Sequence, residues 1–207
     1  GFYIAPQNHM GTASHDQSTE KVRSGTYSHK GCVWGSNPES TLFRNNNHRG
    51  YPTIQLYKMP GGPFETPVTI EFWVWLDTKF ETGEWFSFAT LDHTTSNSWD
   101  GVLVNLSDKE IVHLMHVPYN GQGKTIFQTK DILFPMRKWV KLTICLHFDP
   151  KNGYAKVWQN DQLVSEARVG RGEGLLTQAH FGLYAPPSVS RAVIYNDDLT
   201  IREGSCE

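Results

Sequence analysis

A short stretch after residue 47 carries the side chains best suited to chemistry in this chain. If the stretch is a strand, a period of two places alternate residues from Arg49 onward on one face. That face combines a guanidinium, two phenols, a hydroxyl and a carboxamide, from Arg49, Tyr51, Thr53, Gln55 and Tyr57. Such groups can grip and act on a polyhydroxylated, negatively charged chain. The alternative is an ordinary solvent-exposed face of a sheet.

The strand that positions these groups has Ile54 and Leu56 on its other face, which predicts packing against a core. About a dozen short runs rich in β-branched and aromatic residues follow the same logic along the chain. The clearest are 67–77, 85–92 and 139–149, and none shows a sustained helical period. The pattern predicts an all-β sandwich or barrel. We expect one domain over 1–207, with residues 1–20 as an irregular lead-in.

The composition of the chain limits the classes of partner that it can bind. The chain has 207 residues and a formal net charge of −2, so no basic field would attract nucleic acid or an anionic membrane. No apolar run approaches the roughly 20 residues that span a bilayer. Any recognition of an anion must therefore be local. The aromatic-rich composition, with only 19% charged residues, is typical of extracellular β proteins and carbohydrate binders. We expect a secreted monomer.

Three cysteines lie far apart, at Cys32, Cys145 and Cys206. The absence of a short CxxC spacing argues against a zinc site. One disulfide and one odd thiol are possible, and a pair between Cys32 and Cys206 would tie an early strand to the C-terminus. Cys145 falls inside a strand pattern, where we expect it to serve as a small apolar residue.

Three segments together resemble a known fold. They are the Trp-led strand and hairpins of 139–164, the serine–glycine turn at 24–28, and the closing strand with an acidic pair at 192–201. They are similar to the concanavalin A-like jelly roll of lectins, laminin-G-type modules and polysaccharide lyases. The resemblance implies a β-sandwich of two antiparallel sheets with a concave groove.

Within that superfamily the chain looks most like uronate-cleaving lyases of the glucuronan and alginate lyase kind. Arg49 resembles the arginine of their opening strand, and His113 resembles the catalytic histidine that ends a short strand. Tyr184 follows Gly182 by two positions, which resembles the spacing before their catalytic tyrosine.

The same motifs depart from the alginate enzymes at four positions. Tyr51 and Thr53 stand where a second arginine and a glutamate are expected. Ile111 replaces a glutamine, and His180 replaces a lysine. These departures favour a glucuronan-type substrate over alginate.

The resemblance implies β-elimination, which needs a neutralised uronate carboxylate, a base for the C5 proton and an acid for the departing O4. Arg49 would pair the carboxylate, and Gln55 or His113 would bond the developing enolate. Tyr184 would act as base and then acid, with Tyr51 as a lesser candidate. This chemistry needs no cofactor.

Further residues are candidates for contacts with an anionic polysaccharide. They are His48, Asn105, His116, His180 and Trp158. The alternative for each histidine is a local hydrogen bond, and for the tryptophan a place in the core. His116 shares a strand face with Val112 and Leu114, and this more apolar face should point inward. His113 is therefore the better candidate for a groove.

A structural calcium ion is a separate hypothesis. The family often holds one between the N-terminal turn and the closing strand. Carboxylate oxygen from Asp197, with backbone carbonyls near Ser24 and Tyr27, would suit a hard cation. The alternative is a solvated acidic pair, Asp197 with Asp198, at a strand end.

The sequence thus predicts a lyase acting on an anionic uronate polymer. Hydrolysis is disfavoured because Asp77, Glu81 and Glu84 do not form the paired-carboxylate arrangement of glycosidases on this fold. A non-catalytic carbohydrate-binding module or lectin using the same concave sheet is the alternative. An interaction domain of the laminin-G kind is a third possibility, and it predicts no polar cluster around Arg49.

Overall fold

A computed structural model describes residues 2–3, 9–37, 47–94, 99–118, 125–127 and 130–204. This part of the chain forms eighteen strands and a single turn of 3-10 helix at Leu56–Lys58. The first nine strands are β1 (Phe2–Tyr3), β2 (His9–Met10), β3 (Ala13–Ser18), β4 (Ser28–Val33), β5 (His48–Gly50), β6 (Thr53–Gln55), β7 (Phe64–Glu65), β8 (Val68–Thr78) and β9 (Trp85–Asp92). The other nine are β10 (Gly101–Ser107), β11 (Val112–Val117), β12 (Thr125–Phe127), β13 (Val140–His147), β14 (Tyr154–Gln159), β15 (Gln162–Arg168), β16 (Leu175–Leu176), β17 (Gln178–Ala185) and β18 (Ala192–Glu203). Within the described ranges, no helix is long and apolar enough to cross a membrane.

Two antiparallel sheets pack face to face. The nine-stranded sheet runs β1-β6-β17-β9-β10-β11-β12, with β5 pairing both β17 and β2. The seven-stranded sheet runs β15-β14-β13-β8-β18-β4-β3, and β7 with β16 forms a small third sheet. The predicted β-sandwich is confirmed.

Alternation of apolar side chains explains why these strands pair as they do. In β8 every second residue is buried, from Val68 to Leu76, and its neighbour β13 buries Val140, Leu142 and Ile144. A period of two in both sheets directs apolar side chains into one core between them. The polar face of the nine-stranded sheet is called the groove face below. The polar face of the seven-stranded sheet is called the outer face.

The strand predicted over 85–92 has the observed bounds of β9. The irregular lead-in predicted for residues 1–20 is wrong, because Ala13–Ser18 forms β3 and pairs with β4 at the edge of the seven-stranded sheet. Only the two end residues of β3 are buried. An edge strand with so little apolar content leaves no alternation to detect.

The predicted roles of two cysteines are also wrong. Cys145 is disulfide-bonded and Cys32 is free, with its Sγ atom 3.4 Å from the Ser14 hydroxyl. The partner of Cys145 lies outside the described residues, as does Cys206. Cys145 shares the outer face with Lys141 and is nevertheless only 1% exposed. Burial on a polar face fits a sulfur that is covered by its own cross-link.

Candidate active site

Five neighbouring strands place one residue each in a continuous row across the nine-stranded sheet. Arg49 of β5 lies directly opposite Tyr184 of β17, which lies opposite Ser87 of β9. Ser87 in turn lies opposite Asn105 of β10, and Asn105 opposite His113 of β11. Directly opposed residues share a face of a sheet, so the five side chains point the same way. We call this set the groove row.

The chain neighbours of the row show which way it faces. Phe86, Leu106 and Leu183 are fully buried in the core between the sheets, so the alternate residues of the row lie on the groove face. The row crosses four strand spacings, which is about 19 Å at 4.7–4.9 Å per spacing. It is therefore a line of polar groups suited to an extended ligand, not a single point.

A bulge aims Tyr184. The pairing of β17 with β9 shifts register between Phe181 and Tyr184, and Gly182 within this bulge has φ +143°. A Cβ atom on Gly182 would lie 2.9 Å from His29 and 3.0 Å from the carbonyl oxygen of Gly50. Glycine is therefore required for both the backbone angle and the close approach. This explains physically why a glycine precedes the tyrosine by two positions.

Tyr184 is held by contacts on several sides. The side-chain amide of Asn47 donates a hydrogen bond of 2.9 Å to its hydroxyl oxygen. The Arg49 guanidinium carbon lies 5.8 Å from the centre of its ring. Trp85 packs edge-on against it at 5.2 Å and Tyr51 at 6.1 Å. The phenol oxygen therefore has a fixed position beside a permanent cation.

An aromatic stack forms the wall next to Tyr184. The ring of His180 stacks on Tyr51 at 4.3 Å and lies 4.4 Å from the ring of Trp99. Burial, assisted by the nearby charge of Arg49, lowers the pKa of His180 to about 3. Burial also raises the pKa of Tyr51 well above its usual value. Both groups stay neutral near pH 7, so Tyr51 is a wall residue and a poor candidate for the base.

The far end of the row carries a neutral imidazole. His113 is buried, and its Nδ1 atom lies 3.3 Å from the carbonyl oxygen of Ile111. Because a carbonyl only accepts, Nδ1 carries the proton and Nε2 is left as an acceptor. Burial lowers the pKa of His113, which keeps the ring neutral. Next to it, the side-chain oxygen of Asn105 is buried and makes no hydrogen bond within the described structure.

The other residues predicted for the site lie elsewhere. Gln55 faces the groove but pairs with Gln178, six residues along β17 from Tyr184, or about 20 Å at 3.3 Å per residue. His48 is fully buried, with its Nε2 atom 2.9 Å from the carbonyl oxygen of Val189. His116 points to the other side of the sheet, where its Nε2 atom lies 3.3 Å from Asp100.

Trp158 belongs to β14 of the other sheet and shares the outer face with Thr143. It therefore lies on the opposite side of the sandwich from the groove row. Of the residues predicted for the site, the structure brings together Arg49, Tyr51, Asn105, His113, His180 and Tyr184.

Sequence reasoning missed four residues at the site: Ser87, Asn47, Trp85 and Trp99. The alternation of Trp85, Phe86, Ser87 and Phe88 was a usable signal, because it sets Trp85 and Ser87 on the face opposite two phenylalanines. Asn47 and Trp99 lie outside the strands, where no period applies.

The residues predicted to hold calcium form a different kind of contact. One carboxylate oxygen of Asp197 accepts hydrogen bonds from the backbone N–H groups of Arg23, at 2.7 Å, and Ser24, at 3.3 Å. The other accepts the N–H of Asp198 at 2.9 Å, and the Ser24 hydroxyl donates to the Asp198 carboxylate. Calcium needs a shell of oxygen ligands, whereas these contacts are N–H donors. As placed, the set does not fit a calcium site, and calcium binding stays a prediction.

Comparison with solved structures identifies the fold. An endo-β-1,4-glucuronan lyase from the fungus Trichoderma reesei matches with a TM-score of 0.68 and 13% identity, over 93% of this chain and 87% of that one. The cellulose-induced protein Cip1 matches with a TM-score of 0.67 and 13% identity, over 100% and 94%. A family 7 alginate lyase, A1-II′, matches with a TM-score of 0.63 and 12% identity, over 92% and 82%.

The chain has the concanavalin A-like jelly-roll fold. The predicted likeness to jelly-roll polysaccharide lyases is thereby confirmed at the level of the fold. Receptor-binding domains of botulinum neurotoxins are also among the matches. No protein-family model and no curated protein sequence matches the chain.

Proposed function

We propose that this jelly roll is a polysaccharide lyase that cleaves a uronate polymer, glucuronan-like in type, by β-elimination. The observation that carries the proposal is the groove row. It sets a permanent cation, a fixed phenol, an amide and a neutral imidazole side by side on one polar face. A solvated sheet face has no need of buried, neutral polar groups, whereas a binding groove for a charged polymer does.

Arg49 and Tyr184 supply the chemistry. The guanidinium pairs with the uronate carboxylate in a bidentate fork, which makes the C5 proton easier to remove. In its deprotonated form, the phenol oxygen of Tyr184 takes that proton. It then returns the proton to O4 as the C4–O4 bond breaks and the C4–C5 double bond forms. Tyr184 ends in its starting state, and no cofactor is required.

Asn105 and His113 bind neighbouring sugars in this proposal. Their strands lie two and three spacings from that of Tyr184, about 10 and 14 Å across the sheet. The neutral Nε2 atom of His113 accepts a hydrogen bond from a sugar hydroxyl. The Asn105 amide donates one to a carboxylate or a ring oxygen. Binding of several units in a row favours a polymer over a single sugar.

The test is to incubate the protein with glucuronan and with alginate and to follow ultraviolet absorbance of the unsaturated product. We expect product from a uronate polymer and a loss of at least about 10³-fold in Arg49→Ala, because the carboxylate charge is then not neutralised. An unchanged circular-dichroism spectrum and melting temperature would show that Arg49→Ala still folds. Native-rate cleavage by Arg49→Ala would refute the site.

A non-catalytic carbohydrate-binding module is the second candidate. The receptor-binding domains among the structural matches show that the fold also occurs in proteins named for binding. No product from any uronate polymer, together with retained binding of the polymer, would establish the module in place of the lyase.

Secretion and a monomeric state belong to the same proposal. The disulfide at Cys145 supports secretion, because such bonds persist mainly in oxidising compartments. Size-exclusion chromatography with light scattering tests the monomer, and the fraction of the protein in culture medium tests secretion.

A further inference from the structure

A shallow cavity that is largely open to solvent lies on the outer face, on the opposite side of the sandwich from the groove row. Its volume is about 440 Å³, and it is bounded by β14, β15 and the turn at 150–153. Tyr154 and Lys156 of β14 lie on this face, because the residues that alternate with them, Ala155 and Val157, are fully buried in the core. Small-molecule sites occupy roughly 300–1,000 Å³, so the cavity is large enough for part of a sugar chain.

The cavity is positively charged. Lys151, Lys156 and Arg168 line it together with one carboxylate, Glu166, so three positive charges and one negative charge leave +2. The whole chain has a formal net charge of −2. The cavity is therefore a positively charged region on a chain of negative net charge, and it would attract an anion at short range.

The cavity cations make no ion pair within 4.0 Å among the described residues, in contrast to Lys141 and Arg202 of the same face. Lys156 lies directly opposite Glu166 in the register of β14 and β15. Among the described residues, however, no carboxylate lies within 4.0 Å of Lys156, Arg168 or Lys151 in an ion pair. The nearby carboxylate of Asp149 accepts the backbone N–H groups of the turn, at 2.8 and 2.6 Å, and the charge of Lys151 acts on it without a contact within 4.0 Å.

Two other cations of the same face, Lys141 and Arg202, are paired with carboxylates. Lys141 lies 2.5 Å from Asp161 and 4.0 Å from Glu71, and Arg202 also contacts Glu71. A cation that makes no ion pair with a nearby carboxylate can instead pair with an anionic group of a ligand. The contrast within one sheet face is the observation that points to a site.

Neighbouring groups hold two of these cations in place. The Lys156 ammonium lies 5.6 Å from the ring centre of Tyr154, within the range of a cation–π contact. The Arg168 guanidinium donates a hydrogen bond of 2.7 Å to the carbonyl oxygen of Lys151, which links β15 to the turn. Fixed side chains lose less entropy on binding than free ones, which favours a specific site over a diffuse patch.

We propose that this cavity is a second binding site for the carboxylated sugar chain, separate from the groove. The inference rests on the proposed function for the identity of the ligand. Lys156 and Arg168 pair with uronate carboxylates, and the Tyr154 ring packs against a sugar. Occupation of both sites by one polymer raises its effective concentration at the groove, whereas a trisaccharide gains nothing from the second site.

The experiment is a titration followed by backbone-amide NMR, with a glucuronic acid trisaccharide as the probe. Tyr184→Phe serves as the parent protein so that the probe is not cleaved. We expect shifts at two separate places, the amides around the groove row and those of 151–153 and 166–168. When Lys156→Ala and Arg168→Ala are added to the parent protein, the affinity reported by the second set of amides should fall by about tenfold or more, because two charged contacts are lost. The first set should stay unchanged.

A matched control adds Lys141→Ala with Arg202→Ala, two paired cations of the same face, and should leave both sets unchanged. Absence of shifts at 151–153 and 166–168 at millimolar trisaccharide would overturn the second site. Stronger binding there of a sulfated oligosaccharide of equal length would overturn the assignment to uronate. Failure of the lyase proposal appears separately, as absence of product absorbance.

Discussion

On the outer face of the sandwich, Lys141 lies 2.5 Å from Asp161, and Lys30 lies 2.6 Å from Glu20. On the groove face, the buried side-chain oxygen of Asn105 makes no hydrogen bond with the residues that the structure describes, and burial lowers the pKa of His113 and keeps it neutral. The two faces belong to one fold and one core, yet these polar groups differ. Ion pairs satisfy the charges of Lys141 and Lys30 on the outer face, whereas Asn105 and His113 on the groove face are desolvated at a cost in stability. Such a cost is expected where a ligand completes the contacts.

The largest difference between the two faces is expected when one hydroxyl is removed from each. Tyr184→Phe removes a hydroxyl that we place in proton transfer, so the turnover number should fall by about 10²–10⁴-fold. Tyr195→Phe removes an outer-face hydroxyl that donates to Glu20 at 2.7 Å and should leave turnover unchanged. Steady-state kinetics on a uronate polymer measures both, and equal rates for the two variants would remove the distinction between the faces.

Acid should destabilise the protein through its desolvated histidines. Burial lowers the pKa of His29, between the sheets, and of His180, in the groove, from 6.5 to about 3. Below pH 6.5 the unfolded chain takes up protons at these sites and the folded chain does not, so stability is lost as pH falls. Each histidine contributes about 1.4 kcal/mol per pH unit to the loss of unfolding free energy.

Urea unfolding between pH 6 and pH 4 measures this slope. His29→Gln should reduce the slope by about 1.4 kcal/mol per pH unit, since the position then no longer titrates. Asp92 acts in the opposite direction, because burial raises its pKa from 3.8 to about 6 and protonation then favours the fold. An unchanged slope in His29→Gln would contradict the prediction.

A smaller effect is expected at Asn105, where one substitution should raise the stability of the fold and lower the turnover of polymer. Replacement by leucine removes a buried, unsatisfied oxygen and should raise the unfolding free energy by about 1 kcal/mol. The same change should weaken polymer turnover, because the amide can no longer bond a sugar. The control is Ser165→Ala. The Ser165 hydroxyl donates to the carbonyl oxygen of Phe127 at 2.6 Å and accepts the N–H of Leu114 at 3.1 Å, so its loss should lower the unfolding free energy. A loss of stability in Asn105→Leu would contradict the view that burial of the Asn105 oxygen lowers the unfolding free energy.

The smallest effect is expected on metal removal. The carboxylate of Asp197 is held by backbone N–H groups, so a chelator should shift the melting temperature by less than about 1 °C. Differential scanning calorimetry with chelator and with added calcium measures the shift. A clear rise in melting temperature with calcium would instead support the metal that the fold resemblance implied.

The sequence was sufficient for the fold because β8 and most of β13 bury every second residue. The sequence pattern did not predict β3, because an edge strand needs little apolar content. Arg49 and His113 could be placed on the groove face from period two alone. Period two also sets Ser87 on the face opposite two phenylalanines. Its place between Tyr184 and Asn105 follows only from the register of β9 with β17 and β10, because pairing across a sheet has no local signature.

Gly50 and Gly182 bring the two sheets so close beneath Tyr184 that a single added carbon on Gly182 would lie within 3.0 Å of its neighbours. The φ of +143° and the carbonyl oxygen of Gly50 exclude a side chain at position 182, whatever residue stands at position 29. Among relatives of this chain, glycine should therefore be kept at position 182. An alignment would then show one invariant position in an otherwise variable sandwich, a mark of inheritance left by the depth of the groove.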